Sequence, residues 1–173
     1  MRPFSFEHVF RAPDVAAVFD AYFDPNHQRE QDDALAIVER VVLERVDDAD
    51  IVRRVCRAVP HRQLPGILKA FVEGGVLAYH ETAVWRRRDR VIDIEIRPTL
   101  RGGRTVIRGV YALDPVAGGI RRRYAGEVRV ELPLVGARVE RGIVAELAVS
   151  VPVAAEVTQR WLDRRVTAMS AFA

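Results

Sequence analysis

The feature that most constrains the fold is a change in hydrophobic periodicity near residue 133. Before it, apolar and polar residues alternate in short runs separated by turn-forming residues, which is the pattern of antiparallel strands. After it, apolar residues recur every three or four positions nearly to the end of the chain, which predicts one long amphipathic helix. A sheet with one apolar face needs a cover. We therefore predict an α+β fold in which a strongly curved antiparallel sheet wraps around a long C-terminal helix.

About seven strands are predicted. The alternation is clearest over 90–97, where three isoleucines are interleaved with charged residues, and again toward the end of 120–132. An acidic tight turn at 47–50 joins two strand patterns into a hairpin. The predicted strands cover residues 4–11, 37–46, 51–59, 76–86, 90–97, 104–113 and 120–132.

Short helices are predicted near residues 13–24 and 63–73. In the first, Pro13 suits the first helical position and Asp14 the first turn. The segment 26–34 is charged throughout and is expected to be a loop or a short exposed helix. The helix near 63–73 is followed by two glycines, so it is either a movable lid or a static cap on the core. In the long helix, Pro152 is expected to cause a kink or a split, because it lacks a backbone donor.

Composition excludes several classes of protein. A length of 173 residues fits one domain, and a net charge of +3 is too balanced to argue for nucleic acid. The single cysteine, Cys56, excludes an internal disulfide. The beginning of the chain lacks a signal peptide and no run approaches the ~18 apolar residues of a membrane span, which predicts a cytoplasmic protein. Both a monomer and a homodimer fit these totals.

Standard catalytic motifs are absent. There is no phosphate-binding glycine loop and no nucleophile elbow, and His80-Glu81 lacks the second histidine of a metalloprotease motif. The four histidines are widely scattered, so we expect neither a metal nor another cofactor. Two arginine triplets, 86–88 and 121–123, are interpreted as solvated charge, the alternative being that they bind phosphate groups or make transient contact with an anionic membrane surface. These features favour a binding protein over an enzyme.

The order of elements resembles the helix-grip fold of the START-like superfamily (SRPBCC, Bet v 1-like), and in particular a bacterial branch of it. The likeness spans the chain and is carried by 4–6 with 13–15, by 81–85, by 133–140 entering the last helix, and by 151–152 and 160–162 within it. The resemblance implies a hydrophobic cavity between sheet and helix. It also implies lipids, sterols or other apolar molecules as ligands, with a minority of members that catalyse.

Candidate site residues follow from the faces that alternation and helical spacing assign. His8 and Tyr79 are candidate polar anchors, the alternative for His8 being a hydrogen-bonded core residue. A carboxylate facing an apolar cavity could act as an acid or base, so the alternative is a cyclase- or hydratase-like enzyme that uses Glu81, His8 or a tyrosine for proton transfer on a polyketide-like substrate. The opposing interpretation is that Glu81 pairs with an arginine. The expected ligand-binding set is Phe6, His8, Phe10, Tyr79, Glu81, Ile94, Tyr111, Tyr124, Leu147 and Val151.

Overall fold

A computed structural model describes residues 1–61, 71–72, 76–100 and 104–170, with side chains described as far as residue 165. The strands are β1 Arg2–Phe10, β2 Ile37–Asp47, β3 Ile51–Pro60, β4 Tyr79–Arg86, β5 Val91–Pro98, β6 Arg104–Val116 and β7 Gly119–Glu131. The helices are α1 Val15–Phe23, α2 Pro25–Ala34 and α3 Gly136–Ser170. The seven strands and the long final helix confirm the predicted α+β helix-grip fold.

All seven strands form one antiparallel sheet in the order β1-β7-β6-β5-β4-β3-β2. From β2 to β7 each strand pairs with its neighbour in sequence, and β1 then joins the outer edge of β7. The long β6–β7 pair reverses over Ala117 and Gly118, where Gly118 has the positive φ that a two-residue hairpin turn favours. The predicted separator at 114–119 was therefore too wide, because both strands extend closer to the reversal.

Alternate residues of each strand point to the concave face of the sheet, as the sequence pattern predicts. On β5, Ile92 and Ile94 are buried while their charged neighbours are more exposed. Trp85 of β4 is also buried, and its ring stacks on that of Phe19 from α1 with centroids 4.4 Å apart. Helix α1 therefore covers one end of the concave face through aromatic packing.

Two aspartates position the short helices. Asp14 is the N-cap of α1 and accepts a hydrogen bond from the Ala17 amide at 2.8 Å, so it precedes the helix and does not lie in its first turn. Asp24 ends α1 and caps α2 by accepting from the Asn26 amide at 2.8 Å. The segment predicted as a loop or exposed helix is thus helical, with His27 buried at its start.

Helix α3 runs for 35 residues without interruption, so Pro152 does not split it, and the alternative of a kink stays a prediction. Pro152 and Ala148, whose carbonyl loses its intrahelical donor, are both exposed, and water can satisfy that carbonyl. Over Gly136–Arg165, α3 is long and apolar enough to cross a membrane by length and composition alone. Core helices of soluble proteins meet the same test, and α3 packs against β1, β7, α1 and α2. The short helix predicted near 63–73 lies outside the described residues, except for Phe71 and Val72.

Candidate functional site

A cavity of about 680 Å³ lies between the concave face of the sheet and the first half of α3. Helices α1 and α2 contribute Val18 and Gln31 to its wall. Many of the lining side chains on the sheet side are aliphatic. Strand β5 alone supplies three isoleucines, from alternate positions on one face. Six of the apolar lining residues are Ile92, Ile94, Ile96, Ile107, Leu113 and Val139.

The cavity stays open because residues 141–150 of α3 do not pack fully against other elements, whereas Glu140 just before them reaches β7 and accepts a hydrogen bond from the Val130 amide at 3.1 Å. None of residues 141–150 is fully buried, although Ile143 and Leu147 point toward the interior and line the cavity. Beyond this stretch α3 comes into close contact with its neighbours, and Val151, Ala155 and Leu162 are buried. One helix therefore borders the cavity with residues 141–150 and packs into the core with residues 151–162.

An ion-pair cluster of Asp32, Arg40, Arg54 and Glu81 borders the cavity. Arg40 Nε lies 2.9 Å from both carboxylate oxygens of Asp32, and Glu81 lies 3.6 Å from a nitrogen of each arginine. Burial by itself would lower the pKa of Arg40. The neighbouring Glu81, Tyr79 and Asp32 outweigh burial because they favour the cation, so the pKa is raised above its usual value. Arg40 and Glu81 line the cavity, so its wall carries charge that is already paired.

A tyrosine wall formed by Tyr22, Tyr111 and Tyr124 lines the middle of the cavity. The ring of Tyr111 lies 5.5 Å from that of Tyr22 and 4.2 Å from that of Tyr124, centroid to centroid. Gly109 makes this packing possible, because a Cβ at that position would clash with the Tyr124 ring. Burial raises the pKa of all three phenols, which keeps their hydroxyls protonated as potential donors.

Arg122 of β7 forms the wall next to the tyrosines. Its guanidinium carbon lies 5.1 Å from the Tyr111 ring centroid and 5.2 Å from that of Phe10, and the residue is only 7% exposed. Its Nε is fully buried without a hydrogen-bond partner. Within the described part of the chain, no carboxylate lies close enough to pair with it. Among the described residues, the guanidinium of Arg122 is thus contacted by aromatic rings and not by a carboxylate.

His27 supplies a neutral polar group where α2 meets α3. Its Nε2 lies 3.0 Å from Thr158 Oγ1, and the Thr158 hydroxyl donates to the Ala154 carbonyl at 2.9 Å. Burial lowers the pKa of His27 to about 4, so the ring is uncharged at neutral pH.

The structure places most of the predicted site residues around one space. Eight of the ten line the cavity: Phe10, Tyr79, Glu81, Ile94, Tyr111, Tyr124, Leu147 and Val151. Phe6 and His8 do not line it. Phe6 stacks on Phe4 in β1. The ring centroid of His8 lies 4.7 Å from that of Phe10, and burial together with the nearby Arg122 lowers the pKa of His8. Burial also raises the pKa of Tyr79 to about 12.

The lining residues absent from the predicted set include three buried or ion-paired basic side chains, His27, Arg40 and Arg122. Alternation could have identified Arg122, since it lies two positions before Tyr124 on the same face of β7. Arg40 and His27 carry no comparable signal, because both lie in charged segments that look solvated. Among the described residues, no group of three or more His, Cys, Asp or Glu side chains could hold a metal ion.

Comparison with known proteins decides the family. A model described as "Protein of unknown function (DUF2505)" matches residues 5–162. The chain belongs to the DUF2505 family. No curated protein matches the sequence of this DUF2505 protein.

Solved structures show the fold of this DUF2505 protein. TTHA0849 from Thermus thermophilus has a TM-score of 0.65 at 14% identity, covering 94% of this chain and 98% of that one. The Zhui aromatase/cyclase from Streptomyces sp. R1128 has a TM-score of 0.63 at 13% identity, covering 95% of each chain. A START superfamily protein from Mycobacterium smegmatis has a TM-score of 0.58 at 12% identity, covering 95% and 99%. The fold is therefore the START-like helix-grip fold.

Proposed function

We propose that this DUF2505 protein binds a hydrophobic small molecule, such as a lipid or a sterol, between the sheet and α3. The cavity of about 680 Å³ carries the proposal, because its volume lies within the range of small-molecule sites. Its wall is mostly aliphatic and aromatic, with a few convergent polar groups that can orient a ligand. Burial of apolar ligand surface supplies affinity at roughly 25 cal/mol per Å², less the cost of ordering.

Carrying or transferring such a molecule is an extension of this proposal. Transient contact with an anionic membrane would need free surface cations. Arg86, Arg87 and Arg88 each pair with an aspartate of the neighbouring turns or strand, which weakens that part of the prediction. The structural relatives give no argument here, since their low identity shows the fold alone.

The test is a binding titration with the uncharged dye N-phenyl-1-naphthylamine, which fluoresces in apolar sites. The wild-type protein is expected to bind the dye, and Leu147→Trp is expected to weaken binding about tenfold or more by filling the cavity. The matched control is Val149→Trp on the same helix, where Val149 is 67% exposed and outside the lining. Equal dye affinity in all three proteins would contradict a site between sheet and helix.

Mass spectrometry of an organic extract of the purified protein adds an independent measurement. A stoichiometric apolar molecule in the wild-type extract, reduced in Leu147→Trp, would identify the ligand class directly. Apolar molecules present equally in both extracts would mean that they do not occupy this cavity.

The second candidate is a polyketide cyclase- or hydratase-like enzyme, because the cavity contains a carboxylate, Glu81, and a wall of three phenols. No hydrogen bond joins Glu81 to His8 in the described structure, and two ion pairs occupy the Glu81 carboxylate. Incubation with a poly-β-ketone thioester, followed by mass spectrometry, tests this candidate. A cyclised or dehydrated product that Glu81→Gln fails to form would favour the enzyme over the binding protein.

A further inference from the structure

The two arginines that line the sheet side of the cavity differ in how their charge is satisfied. Arg40 has the carboxylates of Asp32 and Glu81 within 4 Å. Arg122 is as deeply buried, yet no ion pair or hydrogen bond reaches it from the described residues. A buried cation without an acceptor is costly, because the desolvation of the charge is not compensated.

The surroundings of Arg122 suit a ligand group better than a protein partner. Phe10 and Tyr111 hold the guanidinium by their ring faces, which fixes its plane without using its donors. The hydroxyls of Tyr22, Tyr111 and Tyr124 also make no hydrogen bond in the described structure, and all three residues line the same cavity. This wall therefore offers unused donors next to the aliphatic side chains of β5.

We propose that Arg122 binds the oxyanion of an apolar acid, a ligand with a hydrophobic body that ends in a carboxylate. An arginine presents paired N–H donors that match the two oxygens of a carboxylate. The aliphatic wall of β5 then receives the hydrophobic body. This inference rests on the proposed function and specifies the chemical class of its ligand.

The test is displacement of bound N-phenyl-1-naphthylamine by decanoate and by 1-decanol, two molecules of equal chain length that differ in the head group. Charged hydrogen bonds contribute a factor of roughly 10–100 in affinity, so decanoate is expected to displace the dye from the wild-type protein at a correspondingly lower concentration than decanol. Arg122→Met is expected to remove this preference while retaining dye binding. Arg122→Lys, which keeps the charge without the paired donors, is expected to retain part of it.

The control is Arg123→Met, because Arg123 is the next residue of β7 and lies exposed on the opposite face. It is expected to leave the preference for decanoate unchanged. If decanoate and decanol displace the dye equally from the wild-type protein, the inference is wrong even though the cavity binds apolar molecules. If the wild-type protein binds neither the dye nor either alkyl compound, the proposed function fails and the inference fails with it.

Discussion

The cavity half of α3 (residues 141–150) and its packed half (residues 151–162) have similar apolar content but different environments. In 141–150 the residues that face inward, such as Ile143 and Leu147, remain half-buried beside the cavity. In 151–162 the inward residues are buried against the short helices and β1, as Ala155 and Leu162 show. Helical periodicity alone does not distinguish the halves. Burial of a helix face depends on how near the opposing element lies.

This difference suggests that the packed half of α3 serves stability and the cavity half serves ligand binding. Side chains that pack at interior density stabilise the fold, since each buried methylene contributes about 0.8 kcal/mol. Side chains beside an open space contribute less to stability and remain available to a ligand. Stability and binding are therefore expected to separate along α3.

The largest effect is expected from the same substitution in the two halves. Leu162→Ala should lower the free energy of unfolding by roughly 2–5 kcal/mol, because Leu162 is 2% exposed and its removal leaves a void in the core. Leu147→Ala should cost only about 1 kcal/mol, since its side chain already borders empty space. Urea unfolding measures the free energy of unfolding of both variants. Equal losses would contradict the proposed difference in role between the two parts of α3.

A comparable but pH-dependent effect is expected from His27, which contacts the packed half through Thr158. Its pKa is about 4 in the folded protein and about 6.5 when unfolded, so the unfolded chain binds more protons between these values. The stability that this neutral ring contributes is complete above pH 6.5 and declines as the pH falls toward 4, by about 3 kcal/mol. His27→Gln should remove this component from the pH profile of the free energy of unfolding. A profile parallel to that of the wild-type protein would show that His27 does not titrate in this way.

The smallest effect is expected at the surface beside the packed half. Arg164 Nη2 of α3 lies 2.6 Å from Glu30 Oε1 of α2, and both side chains are about half exposed. Arg164→Gln should lower the free energy of unfolding by less than about 1 kcal/mol, and added salt should diminish the difference. A loss as large as that of Leu162→Ala would mean that the packed half depends on charge as much as on burial.

Much of the fold was predictable because it depends on local pattern. The isoleucines of β5 and the apolar series of α3 lie where periodicity placed them. The predicted lining was also largely brought together, because residues two apart on a strand share a face. The errors have local causes as well. Pro152 does not split α3, and Ala148, whose carbonyl it leaves without an intrahelical donor, is an exposed residue.

The polar part of the site was less predictable. Arg122 was interpreted with Arg121 and Arg123 as solvated charge, although alternation places the middle residue of the triplet on the inner face. Arg40 and His27 lie in charged segments, and only their neighbours in space show that they are buried. Sequence spacing identifies a face, but it does not identify which groups from other elements will meet there.

The sequence by itself determined the alternating strands, the terminal helix and hence the fold, because these depend on residues at most a few positions apart. The tertiary structure decided that a cavity remains and that, within the described part of the chain, Arg40 is paired whereas Arg122 is not. Those properties depend on distances between α2, α3 and strands far apart in the chain. Such distances follow from the curvature of the whole sheet, which local hydrophobic periodicity does not specify.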